Sequence, residues 1–179
     1  MEESAVTDFV ARLLAALGYA PRDRLLRAKK DIPHLICGEK RCTKTDVRIT
    51  DAQGILMLVQ EDKRHLGNDD AEAQLIAEAI DAFNANNNTR RDLGLDPLPS
   101  KLMPGVTMRG TAPIFYKIPV TMALATCVGV GAFPDTPTTV YVHVPNVSKP
   151  EHLWSEGMIP LANRWEILYR FEAFKRFVS

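Results

Sequence analysis

A chain of 179 residues, 46% hydrophobic and 25% charged, suits one globular domain with a real core and excludes disordered, fibrous and low-complexity classes. Lys and Arg together number 22, as do Asp and Glu, so no global basic field announces a nucleic-acid partner and any polyanion must be held locally. Cys37, Cys42 and Cys127 are odd in number and sparse, which points away from a disulfide framework and toward a reducing, intracellular setting.

The opening MEESAVTDF lacks a charged-then-apolar leader, so no signal peptide is expected. Ile118 to Pro134 is uncharged but too short and too rich in Pro, Gly and Thr for a membrane span; a soluble protein is expected. Cys37-x4-Cys42 with His34 nearby lacks a fourth ligand at a recognisable zinc spacing.

In chain order, Ser4 to Leu17 carries Val6, Phe9, Val10, Leu13, Leu14 and Leu17 at helical spacing, and Gly18 stops it. Arg22 to Lys30 is a basic connector, helical or partly extended. Pro33 to Cys37 suits a first strand. Val47 to Ile49 and Ile55 to Val59 flank Asp51-Ala52-Gln53-Gly54 and predict a hairpin. After a polar loop with Asp69 or Asp70 as N-cap, a second helix is expected over about Ala71 to Ala85. Leu75, Ile76, Ala79, Ile80 and Phe83 form its apolar stripe, with Gln74, Glu78 and Asp81 on other faces. Asn84 to Pro99 reads as a long surface loop. Val106 to Arg109 and Ile114 to Ile118 predict a second hairpin, Pro119 a helix start, and Thr138 to Val144 a further strand. Leu161 to Phe177 is a final amphipathic helix, and Trp154 and Trp165 read as core residues. The expected order is α-β-β-β-α-β-β-α-β-α.

Chemistry concentrates on the first hairpin. Pairing centred on its turn sets Asp46 across from Gln60 and Glu61, and Glu61 and Lys63, two apart, share a strand face. Two carboxylates supply hard oxygen ligands for Mg²⁺ or Mn²⁺, and a nearby lysine can orient water and offset charge on phosphorus. From Pro21 to Arg48 nine basic residues stand against four acidic ones, a basic approach to Asp46. The plainer alternative is that strand ends collect charges, Asp46 and Lys63 among them.

With Asp46 opening the second strand and Glu61-Asp62-Lys63 ending the third, the sequence resembles the PD-(D/E)xK nuclease superfamily. Leu17-Gly18-Tyr19 after the first helix is similar to the N-terminal nuclease module of type I restriction-enzyme motor subunits. The resemblance covers roughly residues 4 to 85; Thr45 stands where that family usually has proline. It implies an α/β (α+β), restriction-endonuclease-like mixed sheet flanked by helices, in one domain over 1–179. The core would span about 4–145, with a C-terminal strand and helix extension, the helix over about 160–178. It implies a metal-dependent nuclease, an endonuclease ahead of an exonuclease. Asp46, Glu61, Lys63 and Gln74 would be catalytic, and metal would be held by Asp46, Glu61 and a first-helix acid, Asp8 ahead of Glu3. Lys44, Arg48 and Arg64 would steer phosphate. DNA is the favoured polymer and RNA the alternative, as is an inactive nuclease-fold binding protein. A homodimer would fit cleavage of both strands.

Overall fold

The computed structural model describes residues 2–62 and 70–178, and for residues 2–4, 29–31, 33–36 and 40–44 the backbone alone. Helix α1 (Glu2–Ala16) leads into a hairpin of β1 (Leu25–Ile36) and β2 (Glu39–Thr50), then β3 (Ile55–Glu61). Helix α2 (Ala71–Asp92) precedes a second hairpin of β4 (Ser100–Arg109) and β5 (Ala112–Thr121). The chain continues through α3 (Met122–Val130), β6 (Tyr141–His143), a short α4 (Leu153–Glu156) and α5 (Leu161–Phe174). Apart from α4, this is the expected order.

The six strands form one mixed sheet in sequence order. Only β3 and β4 run parallel, because α2 intervenes between them, whereas the other neighbours are antiparallel. Helices cover both faces of the sheet, which is why every residue of β3 is buried instead of alternating in and out. On one face Val10 and Leu14 of α1 and Ile167, Phe171 and Phe174 of α5 pack against Val47, Met57, Val59 and Met108. On the other, Leu75, Ala79 and Phe83 of α2 pack against Leu58, Met103, Tyr116 and Ile118. The Tyr19 hydroxyl donates to the Phe171 carbonyl and ties the chain after α1 to α5.

Several boundaries differ from expectation, each through a contact made by distant residues. The basic connector becomes half of β1, because Leu25 to Ala28 pair with Thr50 to Val47. The Asn cluster is helical, and α2 runs on to Asp92. Asn86 is buried and its amide accepts from Ile55 N–H at 2.6 Å and donates to Ile55 C=O at 2.8 Å. Asn87 accepts from the Leu98 N–H and donates to its carbonyl, at 2.8 and 3.2 Å. Pro119 lies within β5 opposite Leu102, and Thr121 caps α3 by accepting from Leu124 N–H. The late strand shrinks to three exposed residues.

Trp154 and Trp165 are not core residues. Trp165 is 68% exposed, since α5 buries Ile167, Phe171 and Phe174 and turns position 165 outward, and Trp154 is 36% exposed. Glu78 and Asp81, expected on faces of α2 other than its apolar stripe, are buried, at 0% and 2% exposure. No described helix is long and apolar enough to cross a membrane.

Candidate metal and phosphate site

The β2–β3 ladder begins at its turn. Asp51 there accepts from the Gln53 and Gly54 N–H groups at 2.7 and 3.0 Å. Gly54 has φ +142°, and a side chain on it would meet Asn86 Oδ1 at 2.1 Å, so both backbone and packing demand glycine. At the other end the ladder stops at Val47↔Val59. From there β3 follows β4 alone, through Glu61↔Met108 and an Asp62 N–H to Met108 C=O bond of 2.7 Å.

Asp46 sits at this fork. Its Oδ2 accepts the Glu61 N–H at 2.9 Å, in place of the ladder bond that the parting strands no longer make. One bond thereby fixes the Asp46 carboxylate beside the backbone of Glu61. The two acidic residues, with Thr7 and Val10 of α1, Val47, Val59 and Met108, line a space of about 10 Å³. A single water needs roughly that much. In donor type, two carboxylates, Asp46 and Glu61 suit a small hard cation such as Mg²⁺. Among the described residues no three His, Cys, Asp or Glu side chains stand together in metal-holding geometry.

Helix α1 presents Thr7, buried at 3% exposure, to this space. Asp8 is exposed and does not line it, because successive helical residues point about 100° apart. Position 3 lies one turn before Thr7 on the same face; nothing of the Glu3 side chain is described.

Helix α2 supplies a further carboxyl group. Glu78 is fully buried, and its Oε1 accepts from Gln74 Nε2 at 3.3 Å. Burial above all, then the charges of Asp46 and Asp81, push its acid up to about 8 against the opposing Gln74 amide, so it keeps its proton at neutral pH. Thr45 approaches Glu78 without completing a hydrogen bond, and neither its hydroxyl nor Glu78 Oε2 has a partner among the described residues. The signal was present in the sequence: Glu78 is three residues after Leu75 and four before Ala82, inside the buried stripe.

Of the expected site residues, the structure brings Asp46 and Glu61 together and links Gln74 to Asp46 through Glu78. Arg48 lies two residues from Asp46 on β2, across from Arg27, whereas Lys44 is placed by backbone alone, across from Asp31. Lys63 and Arg64 fall outside the described residues. Gln60, beside Glu61, is buried, and its Oε1 has no partner among the described residues. Cys37 is exposed and Cys127 half-buried, both as free thiols. Compared with protein families and with curated proteins, the chain matches none.

Proposed function

We propose that the chain is a divalent-metal-dependent nuclease that hydrolyses phosphodiester bonds, most simply in DNA. The observation that carries this reading is the Asp46 carboxylate accepting the Glu61 N–H at 2.9 Å where β2 and β3 part. It joins two acidic residues fifteen apart in sequence at the end of an apolar sheet, where ionised groups are costly without a role. The α-β-β-β-α-β order with Asp46 on β2 and Glu61 ending β3 supports membership of the PD-(D/E)xK superfamily.

Asp46 and Glu61 would hold Mg²⁺ or Mn²⁺, which when bound polarises a phosphate oxygen and makes water a better nucleophile at neutral pH. Lys63, two residues beyond Glu61, would orient the attacking water and offset the negative charge that builds on phosphorus. The water oxygen bonds to phosphorus, the bond to the departing sugar oxygen breaks, the attacking water gives one proton to solvent, and the departing oxygen takes one from solvent. Gln74 holds Glu78, and Glu78 keeps its proton beside Asp46, so that Asp46 faces one fewer negative charge.

Plasmid, linear DNA and total RNA, each incubated with Mg²⁺, Mn²⁺ or EDTA, test the reading and separate DNA from RNA. Cleavage that survives EDTA or Lys63→Ala would sink it. The non-catalytic alternative draws on the tightness of the space between Asp46 and Glu61. Calorimetry with Mn²⁺ decides that point, since a binding module without a metal site gives no heat that Glu61→Ala removes.

A further inference from the structure

The hairpin of β1 and β2 sets Arg27 directly across from Arg48. Like charges directly opposed weaken an antiparallel pair, so two facing guanidinium groups call for an anion. Beside them opens a groove of about 380 Å³ between this hairpin and the C-terminal half of α2, lined also by Thr50, Asp51, Asn86 and Thr89.

Several of the polar groups in this lining already have partners. Asp51 accepts from two turn N–H groups, Asn86 is bonded to both backbone groups of Ile55, and the Thr89 hydroxyl donates to the Ala85 carbonyl. Lys101 also feels the Asp51 charge. Arg48 differs: its Nε is buried and has no acceptor among the described residues. Burial first, and then the Arg27 charge, lower the proton affinity of Arg48. A buried donor without an acceptor is costly, and a ligand oxygen would relieve it.

Position matters as much as charge. Asp46 and Arg48 are two residues apart on one strand, about 6.6 Å along it. That separation is comparable to one nucleotide step along a phosphodiester backbone. A guanidinium fork matches two phosphate oxygens, and two forks can grip one phosphate from both sides.

We propose that Arg27 and Arg48 form a phosphate clamp on the nucleic-acid backbone, holding the phosphate next to the one that reaches Asp46 and Glu61. The clamp rests on the nuclease reading of those two residues.

Anisotropy of labelled single-stranded and duplex DNA, measured in EDTA so that nothing is cut, tests it on the full chain. Arg27→Gln is the first variant, because Arg27 is exposed and its loss leaves the core intact. Arg27→Gln/Arg48→Gln is the second, with thermal melts recorded for both. The double variant is expected to bind about tenfold more weakly, with a salt slope smaller by about 2, roughly one unit for each lost phosphate contact. Arg27→Gln alone should show about half of that slope change. Binding unchanged in both variants overturns the clamp, as does a wild-type protein that binds neither DNA.

Calorimetry with pyrophosphate separates a free phosphate ligand from a polymer. Pyrophosphate heat that needs both arginines, without arginine-dependent DNA binding, overturns the assignment to a nucleic-acid backbone. Arginine-dependent DNA binding without Mg²⁺- or Mn²⁺-dependent cleavage by the wild type supports the clamp and removes the nuclease. Cleavage with arginine-independent binding does the reverse.

Discussion

The β2–β3 hairpin uses buried polar side chains at both ends, to opposite effect. At the turn, both functions of the Asn86 amide are bonded to Ile55 and the Asp51 carboxylate holds two N–H groups, so the polar groups close the structure. At the fork, Asp46 bridges to Glu61, yet Thr45 Oγ1, Gln60 Oε1 and Glu78 Oε2 are buried without partners among the described residues. Native interiors satisfy nearly all such atoms, so the unmet capacity of these three sets the fork apart from the bonded Asn86 and Asp51, while Arg48 Nε is the unmet donor in the groove beside the turn. Residue type does not separate Asp51 and Asn86 from Thr45, Gln60 and Glu78, whereas satisfaction of their hydrogen bonds does.

If the fork is the working end, removing its carboxylates should abolish chemistry and leave the fold. Asp46→Ala and Glu61→Ala are each expected to slow Mg²⁺-dependent plasmid cleavage by about 10³-fold, since a metal contributes several kcal/mol and each factor of ten is about 1.4 kcal/mol. Initial rates of nicking measure this. A variant that retains a tenth of wild-type activity would place the chemistry elsewhere.

Glu78 gives the next largest effect, on stability against pH. The unfolded chain releases this proton near 4.5 and the native protein near 8, so between those values the native state holds the extra proton. Stability from this group therefore falls as pH rises from about 4.5 to about 8 and then levels off. Glu78→Gln has no proton to lose and shows no such fall. Urea midpoints at pH 5 and pH 8.5 should show the variant gaining on wild type by a few kcal/mol at the higher pH, because each pH unit between the two proton releases is worth about 1.4 kcal/mol. Parallel curves for the two proteins would mean that Glu78 ionises normally.

The sequence made the fork legible because its signals are local. Asp51 to Gly54 announces the turn, counting outward from it finds Asp46 and Glu61, and the helical stripe of α1 ends at a glycine. What it concealed depends on contacts far along the chain. Asn86 looks like a loop residue until Ile55, thirty-one positions earlier, is seen to take both ends of its amide. Glu78 reads as a helix-surface acid by residue type, although its spacing from Leu75 and Ala82 sets it in the buried stripe. Trp165 reads as core because bulk suggests burial, while the face that α5 buries is set by Ile167, Phe171 and Phe174.

At the turn, Asn86→Ala should leave two buried backbone groups of Ile55 without partners and cost about 2–6 kcal/mol in urea denaturation, at about 1–3 for each. Cleavage should follow only the folded fraction. A cost under about 1 kcal/mol would mean that water replaces the amide and that the two ends of the hairpin differ less than their hydrogen bonding suggests.

The smallest expected effect tests the contrast within a single residue. Asp46 has two duties, accepting the Glu61 N–H and offering negative charge to a metal, and Asp46→Asn separates them. The amide oxygen can still accept the bond of 2.9 Å made by wild type, so stability should change by less than about 1 kcal/mol, the range of one ordinary hydrogen bond retained in weaker form. Mn²⁺ affinity, by contrast, depends on the ionised ligand and should fall well beyond what that stability change implies. Urea melts beside a Mn²⁺ titration of the same sample read both quantities. If stability and affinity fall together, the Asp46–Glu61 bond is a structural tie like the Asn86–Ile55 pair, and the fork would join the turn as part of the scaffold.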